Sequence, residues 1–151
     1  MRSPIIIAAV ARRDSEWCAQ LMASTEPWIT LRRNPDGCRE ALARPGTELF
    51  VARENTLPVG FVLLAPYGMA GSPYIASIAV AAEARGRGVG SQLLRFAEER
   101  FAGRTHLFLL VSSFNSGAQQ LYRRHGYEFV GELKDYVVPG YSELIFHKRL
   151  A

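Results

Sequence analysis

Cysteine is scarce in this 151-residue sequence, which contains only Cys18 and Cys38. A chain of this length with 48% hydrophobic residues can bury a core large enough to fold without disulfides. Two free thiols in a reducing compartment are therefore expected. No apolar run approaches the length that crosses a bilayer, and repeats and low-complexity tracts are lacking. The sequence predicts a single soluble, cytoplasmic domain over residues 1–151, with no membrane association.

A concentrated basic stretch is also lacking, although the net charge is +4. The 18 cationic residues are nearly all arginines and are spread along the chain among 14 acidic residues. This distribution gives no indication of a nucleic-acid partner, but it is compatible with an anionic ligand. His106 and His125 are far apart in the sequence, and the two cysteines do not add a ligand pattern to them. No metal site is expected.

Hydrophobic periodicity and turn residues predict seven strands and four helices. The predicted strands are 5–11, 48–55, 59–67, 74–80, 106–111, 128–134 and 142–150. The predicted helices are 13–24, with Asp14 as N-cap, 36–44, the segment from the glycines near 90 to Gly103, and 116–127. A short turn over Thr56–Pro58 predicts an antiparallel hairpin between the second and third strands.

The segment HLFLLV, His106–Val111, is almost entirely apolar, as is typical of a strand that is buried on both faces. A helix separates it from the strand YIASIAV, Tyr74–Val80, and this order predicts a parallel crossover. The predicted fold class is therefore α/β, with a mixed sheet that is antiparallel early in the chain, parallel at its centre and flanked by helices.

The segment ARGRGVGSQLL, Ala84–Leu94, has three glycines at alternate positions after a strand and before a helix. Glycines there allow backbone N–H groups to converge without Cβ atoms, and the helix N-terminus adds its dipole. An anion such as pyrophosphate fits this place, with Arg85 and Arg87 adding charge; an ordinary glycine-rich helix entry is the alternative. A Walker-type loop requires a lysine directly after its last glycine, and this chain has Ser91 after Gly90, so that loop is excluded. The glycine spacing also excludes a dinucleotide fingerprint.

A second motif lies downstream of this loop. RGRGVG fits the pattern Arg/Gln-x-x-Gly-x-Gly/Ala, and NSGAQQLYRRHGYEFVGE fits Asn-x-x-Ala-x-x-Leu-Tyr-x-x-x-Gly-Tyr/Phe. The matching residues of the second motif are Asn115, Ala118, Leu121, Tyr122, Gly126 and Tyr127. By the order and separation of both motifs, residues 74–131 resemble the GCN5-related N-acetyltransferases, the GNAT family.

The resemblance implies the GNAT fold, a mostly antiparallel mixed sheet whose central parallel strands splay apart at their C-terminal ends. It also implies acetyl-CoA as cofactor. The pantetheine arm would lie along one of these strands and the pyrophosphate would bind to the glycine loop. An asparagine near the start of the next helix would also contact the cofactor. The cofactor-binding residues implied in this way are Ile78, Ala79, Val80, Arg85, Gly86, Arg87, Gly88, Val89, Gly90, Ser91 and Asn115.

Tyr122 matches the family position beside the thioester sulfur and is the implied catalytic residue. The implied reaction is acetyl transfer to a primary amine, of a small molecule or a protein N-terminus, by direct attack on the thioester. A phenol near the sulfur can protonate the departing thiolate as a general acid. The alternative is a core tyrosine, since Ala118, Leu121, Tyr122 and His125 share one helix face.

The resemblance is incomplete at the general base. Protein N-terminal acetylating members often carry a glutamate where this chain has Leu110. Water could instead carry the proton to Glu143, Asp135 or Glu48, although each of these is expected to be a surface charge. The missing glutamate keeps open a second function, a non-catalytic acyl-CoA-binding sensor or partner-binding module of the same fold.

The resemblance also implies that the acceptor is recognised by residues 24–37, between the first two helices, and by residues 134–143, between the last two strands. The first segment offers Trp28 with Arg32 and Arg33 for an acidic group, or else a packed tryptophan and two solvated arginines; the second offers Tyr136 and Tyr141. A small amine, an amino-sugar, a polyamine and a protein N-terminus all remain open, with the arginines disfavouring polyamines. The last predicted strand, 142–150, would allow a homodimer if it is exposed.

Overall fold

The structure is a computed structural model that describes residues 5–9 and 12–150. Over these residues the chain forms one seven-stranded sheet in the order β1-β2-β3-β4-β5-β7-β6. Its strands are β1 (Ile6–Ala9), β2 (Glu48–Glu54), β3 (Leu57–Met69), β4 (Ser72–Val80), β5 (His106–Ser112), β6 (Glu128–Leu133) and β7 (Glu143–Arg149). The helices are α1 (Arg12–Ala23), α2 (Pro35–Leu42), α3 (Val89–Arg100) and α4 (Ser116–Arg124). The β4–β5 pair is parallel and the other pairs are antiparallel, which confirms the predicted fold class.

Helices cover both faces of the sheet, and β3 shows this most directly. Its side chains alternate between two apolar clusters, because successive residues of a strand point to opposite faces. Phe61 and Leu63 pack with residues of α1 and α2. Val62 and Leu64 pack with residues of α3 and α4. Residues 59–65 of β3 are therefore buried and apolar without interruption, as is typical of a strand covered on both faces.

Helix α3 begins at the glycine-rich segment and packs by a single apolar face. Gly88 precedes its first residue with a φ of 81°, a left-handed conformation that suits glycine. This face is formed by Val89, Leu93 and Ala97 together with Phe101, and all four residues are buried. This burial anchors the helix on the sheet and fixes where its N-terminus lies.

Several predicted boundaries are wrong. Helix α1 begins at Arg12, so Asp14 lies in the first turn of the helix and is not its N-cap. The Asp14 carboxylate forms an ion pair with Arg53 of β2. The first hairpin turns at Asn55 and Thr56, which both have positive φ values, 52° and 69°. Such values suit the tight turn that joins antiparallel strands. Residues 10 and 11 of the predicted first strand lie outside the described residues.

The last strand is internal, so the condition for pairing across subunits through residues 142–150, an exposed strand, is not met. β7 pairs with β5 from Glu143 to Arg149 and with β6 on its other side. It has no free edge for another subunit. In this half of the sheet the edge is β6, which carries the exposed side chains of Phe129 and Val130.

The parallel pair at the centre of the sheet is short. Only two residues of each strand are in register, Tyr74 with Phe108 and Ile75 with Leu109. β4 continues to Val80 and β5 continues to Ser112 without further pairing to each other. The predicted splay of the central strands is thus present in the register.

A β-bulge in β4 accounts for this divergence. Leu64 of β3 is in register with Ile75, whereas the preceding Leu63 is in register with Ser77, so Ala76 is an extra residue in β4. A bulge bends its strand and increases the local twist. Because Ala76 follows directly on the last pair with β5, the bend separates β4 from β5 from this point onward.

Both cysteines are free thiols, as expected, and the structure shows that both are fully buried. Cys18 lies in α1 and Cys38 in α2, in the apolar cluster on that face of the sheet. Within the described part of the chain, no helix is long and apolar enough to cross a membrane.

Candidate active site

A cleft of about 1710 Å³ opens where β4 and β5 diverge. It is lined by the C-terminal half of β4, the end of β5, the N-termini of α3 and α4, and the segment that joins α1 to α2. Ile78, Ala79 and Val80 all lie on its wall. The cleft therefore runs from the glycine-rich segment at one end to the α1–α2 segment at the other.

The backbone of β4 directs N–H and C=O groups that take no part in the β3–β4 ladder toward this cleft. N–H and C=O directions alternate along a strand, and the Ala81 amide donates to Val59 of β3. The backbone N–H and C=O groups of Ala79 therefore point to β3, whereas those of Ile78 and Val80 point away from β3, toward the cleft. Of the three predicted strand residues, Ile78 and Val80 can thus hydrogen bond with an extended ligand, and Ala79 contributes its side chain to the wall.

The glycine-rich segment forms a cradle of free amides at the same end. Gly86 and Gly88 have φ values of 77° and 81°, and a Cβ at either would meet nothing within 4 Å. In the described part of the chain, none of the amides from Gly86 to Ser91 donates to a backbone carbonyl. Free amides at a helix N-terminus with open space before them suit an anion.

Gly90 serves a different purpose from its two neighbours. Its φ is ordinary, but a Cβ there would lie 3.3 Å from Cδ2 of Leu121 in α4. The missing side chain thus lets α3 and α4 approach each other closely. This contact positions α4 beside the glycine segment.

The two arginines of the motif differ in their placement. Arg85 lines the cleft, and its Nε donates to the Val80 carbonyl over 3.3 Å. Arg87 is not among the residues that line the cleft, and its guanidinium pairs with Glu54 of β2 over 2.9 Å. The structure therefore brings Arg85, but not the Arg87 side chain, to the predicted ligand.

Ser91 and Asn115 also line the cleft. The Ser91 hydroxyl lies 2.9 Å from Nε2 of His125, whose pKa is lowered, mainly by burial. Oδ1 of Asn115 accepts from the Ala118 amide over 3.2 Å and so caps α4. The Asn115 side chain therefore has a structural duty, and its amide NH₂ group remains available at the cleft.

Tyr122 lies in the wall of the cleft beneath the divergence of the strands. Only 6% of the residue is exposed, and its ring packs edge-on against Tyr127 and Phe146. Within residues 12–150, its hydroxyl has no hydrogen-bond partner in the protein. Burial, and to a smaller extent Tyr74, raises the pKa of Tyr122, so the phenol carries its proton at neutral pH.

Glu143 is a buried residue of the cleft wall, so the expectation that it is a surface charge is wrong. It begins β7 directly opposite Ser112, the last residue of β5, whose hydroxyl donates to it over 2.7 Å. Only 8% of Glu143 is exposed. Burial raises the pKa of its carboxyl above the usual 4.5, against the opposing effects of Ser112 and Arg33.

The other two carboxylates considered as bases lie outside the cleft lining. Asp135 is exposed and accepts from the Gly140 amide over 2.7 Å. Glu48 pairs with Arg100 over 2.9 Å. Neither is placed to exchange a proton with a ligand in the cleft.

The far end of the cleft is aromatic and basic. Trp28, Arg33, Arg44, Tyr74 and Tyr136 line it. Burial chiefly raises the pKa of Tyr74 to about 12, and the Glu143 carboxylate adds to this shift. Two other predicted acceptor residues are not part of the lining: the exposed Arg32, and Tyr141, whose ring packs on Phe114.

The chain is similar to known proteins in both sequence and structure. The model of the acetyltransferase (GNAT) family matches residues 11–127. N-alpha-acetyltransferase RimI of Mycobacterium tuberculosis is 31% identical over 140 residues, which cover 88% of this chain and 84% of that protein. Arabidopsis thaliana NAA60 in complex with a bisubstrate analogue has a TM-score of 0.78 at 15% identity, covering 97% of this chain and 98% of that one.

A further solved structure is similar over almost the same length. It is an aminoglycoside 6'-N-acetyltransferase complexed with coenzyme A, with a TM-score of 0.77 at 16% identity and 97% of each chain covered. At these identities the two solved structures support the fold alone. The family model and the mycobacterial relative provide the sequence evidence.

Proposed function

Because the chain belongs to the GNAT family of acetyltransferases, we propose that it transfers the acetyl group of acetyl-CoA to a primary amine in the cleft between β4 and β5. The observation that carries this proposal is the short ladder between these strands, which pairs two residues of each and then opens. An extended ligand with amide groups can enter there as an added strand.

The residues present fit acetyl-CoA, which supplies an activated acetyl thioester. The backbone groups of Ile78 and Val80 would bind the pantetheine amides, and the amides of 86–91 would bind the pyrophosphate. The Arg85 guanidinium, which lines the cleft and whose Nε donates to the Val80 carbonyl, would add positive charge beside the phosphates. Asn115 would donate to the arm from the start of α4.

Glu143 is the general base of the proposed reaction. Its position in the cleft wall lets it take one N–H proton of the attacking amine, directly or through a water molecule. A carboxylate whose pKa is raised toward neutrality accepts that proton more readily than an ordinary one. The hydrogen bond from Ser112 holds the carboxylate in place.

Tyr122 is the general acid. As the amine nitrogen bonds to the thioester carbon, the carbon–sulfur bond breaks and its electron pair stays on sulfur. Tyr122 donates its phenolic proton to this sulfur, and solvent returns the proton from Glu143 to Tyr122. The raised pKa of the phenol keeps its proton in place at neutral pH, so the acid is available when the thiolate forms beside it.

Calorimetric titration with acetyl-CoA, followed by a thiol-release assay with a panel of primary amines, tests this function. Saturable binding, competition by free CoA and thiol release with at least one amine are expected. Binding without release from any amine would favour a non-catalytic acyl-CoA-binding module. A failure to bind would contradict the use of acetyl-CoA.

Replacing Gly88 with valine is expected to weaken acetyl-CoA binding at least tenfold, about 1.4 kcal/mol. The new Cβ would project into open space where the pyrophosphate must approach, at a left-handed φ of 81°. Calorimetry gives the dissociation constant directly.

Gly103→Val is the matched control for this variant. Gly103 has a φ of 89° with nothing within 4 Å of its Cβ position, and it follows α3 at the end opposite the cleft. A valine at position 103 has a similar conformational cost, because it must also adopt a positive φ. This substitution should leave the dissociation constant for acetyl-CoA unchanged. Equal affinity in both variants and the wild type would remove the glycine segment from the binding site.

A further inference from the structure

We propose that the acceptor is a free amino acid, whose carboxylate is bound by Arg33 and Arg44 while its amino group faces Glu143. This inference rests on the proposed acetyl transfer and assigns the far end of its cleft. The structural basis is the placement of two cationic side chains and one buried carboxyl around the same space, all three on the cleft lining.

Arg33 and Arg44 have no acidic partner in the described part of the chain. Neither guanidinium takes part in an ion pair or a side-chain hydrogen bond there. Ion pairs elsewhere in the fold hold Arg39, Arg53, Arg87 and Arg100. The two arginines of the cleft are thus free to bind an anion, and guanidinium groups suit carboxylates by their paired donors.

The two cations act on the buried groups at the centre of the cleft. Arg33 lowers the pKa of Glu143 against the effect of burial, and Arg44 does the same to Tyr74. Both arginines therefore lie within electrostatic range of the proposed reaction centre. Yet no ion pair joins Arg33 to Glu143. A ligand with an ammonium group and a carboxylate on one carbon can bridge this gap between opposite charges.

The other carboxylate at this end of the lining, Glu26, is anionic but forms no ion pair with either arginine. It is exposed, and its two oxygens accept from the amide and hydroxyl of Thr30, over 2.9 and 2.6 Å. These hydrogen bonds lower its pKa and hold it in its own loop. Polyamines would meet Arg33 and Arg44 with like charge, which excludes them as good acceptors.

The lining also indicates what the amino acid side chain contacts. Trp28, Tyr74 and Tyr136 provide aromatic surface beside the arginines. An apolar side chain packs well on such a surface. The preferred acceptors are therefore amino acids with apolar side chains.

The test compares free leucine and phenylalanine with leucinamide and phenylalaninamide by thiol release from acetyl-CoA. The amides lack the carboxylate and have less basic amines, so a preference for the free acids cannot come from a larger fraction of neutral amine. We expect a kcat/KM at least about tenfold higher for the free acids, as for the loss of a charge-assisted hydrogen bond. Equal or better turnover of the amides would overturn the inference and leave the acetyltransferase function intact.

The double variant Arg33→Gln, Arg44→Gln should abolish this preference, measured as the ratio of kcat/KM for the free acid to kcat/KM for its amide in the same variant. Arg32→Gln is the matched control, because Arg32 adjoins Arg33 but is exposed and absent from the lining. A preference that persists in the double variant would contradict the role of the two arginines. Better turnover of an amidated peptide with an acidic second residue would overturn the assignment to free amino acids.

A binding measurement separates this inference from the reaction itself. N-acetylleucine and its amide are titrated into the CoA-loaded protein, which requires no turnover. Tighter binding of the carboxylate form by the wild type, but not by the double variant, supports the inference even if no amine is acetylated. Equal binding of the two forms would contradict it.

Discussion

Replacing Glu143 with glutamine is expected to lower kcat about a hundredfold, the lower range of the loss for removal of a general base. The amide is nearly isosteric, can still accept the hydrogen bond from Ser112, and cannot take a proton from the amine. In the wild type, activity should rise with pH through the raised pKa of this carboxyl, because only the ionised form is a base. The variant should lose this rise, which a pH profile of thiol release measures.

Protein stability distinguishes this role from a structural one. A carboxyl whose pKa is raised on folding favours the neutral form in the native state. Its contribution to stability is present below the usual 4.5 and is lost as pH rises through the raised value. The neutral glutamine should thus keep or raise Tm at pH 7 while activity falls.

Asp135→Asn is the control for Glu143→Gln, since Asp135 is exposed and outside the cleft lining. Its kcat should match that of the wild type. A kcat for Glu143→Gln within about threefold of the wild type would contradict the role of Glu143, because this loss of rate is too small for the removal of a general base.

Replacing Tyr122 with phenylalanine should lower kcat at least tenfold, about 1.4 kcal/mol of barrier. The ring contacts with Tyr127 and Phe146 remain, and the hydroxyl that is lost has no hydrogen-bond partner among the described residues. Folding and acetyl-CoA affinity should therefore be nearly unchanged. Single-turnover thiol release together with calorimetry separates the two effects.

Tyr127→Phe is the matched control for this substitution. Tyr127 is equally buried, but its hydroxyl donates to Glu98 over 3.0 Å and the residue does not line the cleft. This variant should lose about 1 kcal/mol of stability and keep its turnover. Wild-type turnover in Tyr122→Phe would remove the phenol from the mechanism.

The sequence was sufficient for the parts of the fold that depend on local patterns. The parallel crossover follows from the apolar strand beginning at His106 and the helix before it. The glycine spacing around Gly88 predicts the free amides at the start of α3. These features depend on neighbours in the chain, so their signals are present in the letters themselves.

The remaining features depend on pairing between distant segments. The bulge at Ala76 is a shift in the register between β3 and β4. No turn residue in the sequence indicates its position. The burial of Glu143 follows from its place opposite Ser112 at the end of a central strand, which requires the strand order. The pairing of Arg87 with Glu54 is likewise a contact between segments 33 residues apart. That residues 1–151 form one domain stays a prediction.

The short ladder between β4 and β5 makes the sheet two half-sheets that share two pairs of residues. A bound strand-like ligand would lie between β4 and β5 and form hydrogen bonds where the two strands no longer pair. Its binding free energy would therefore also hold the two half-sheets together. By mass action, a ligand that binds only the native state adds RT ln(1 + [L]/Kd) to its stability. The melting temperature of the protein would then rise with the concentration of the acyl carrier.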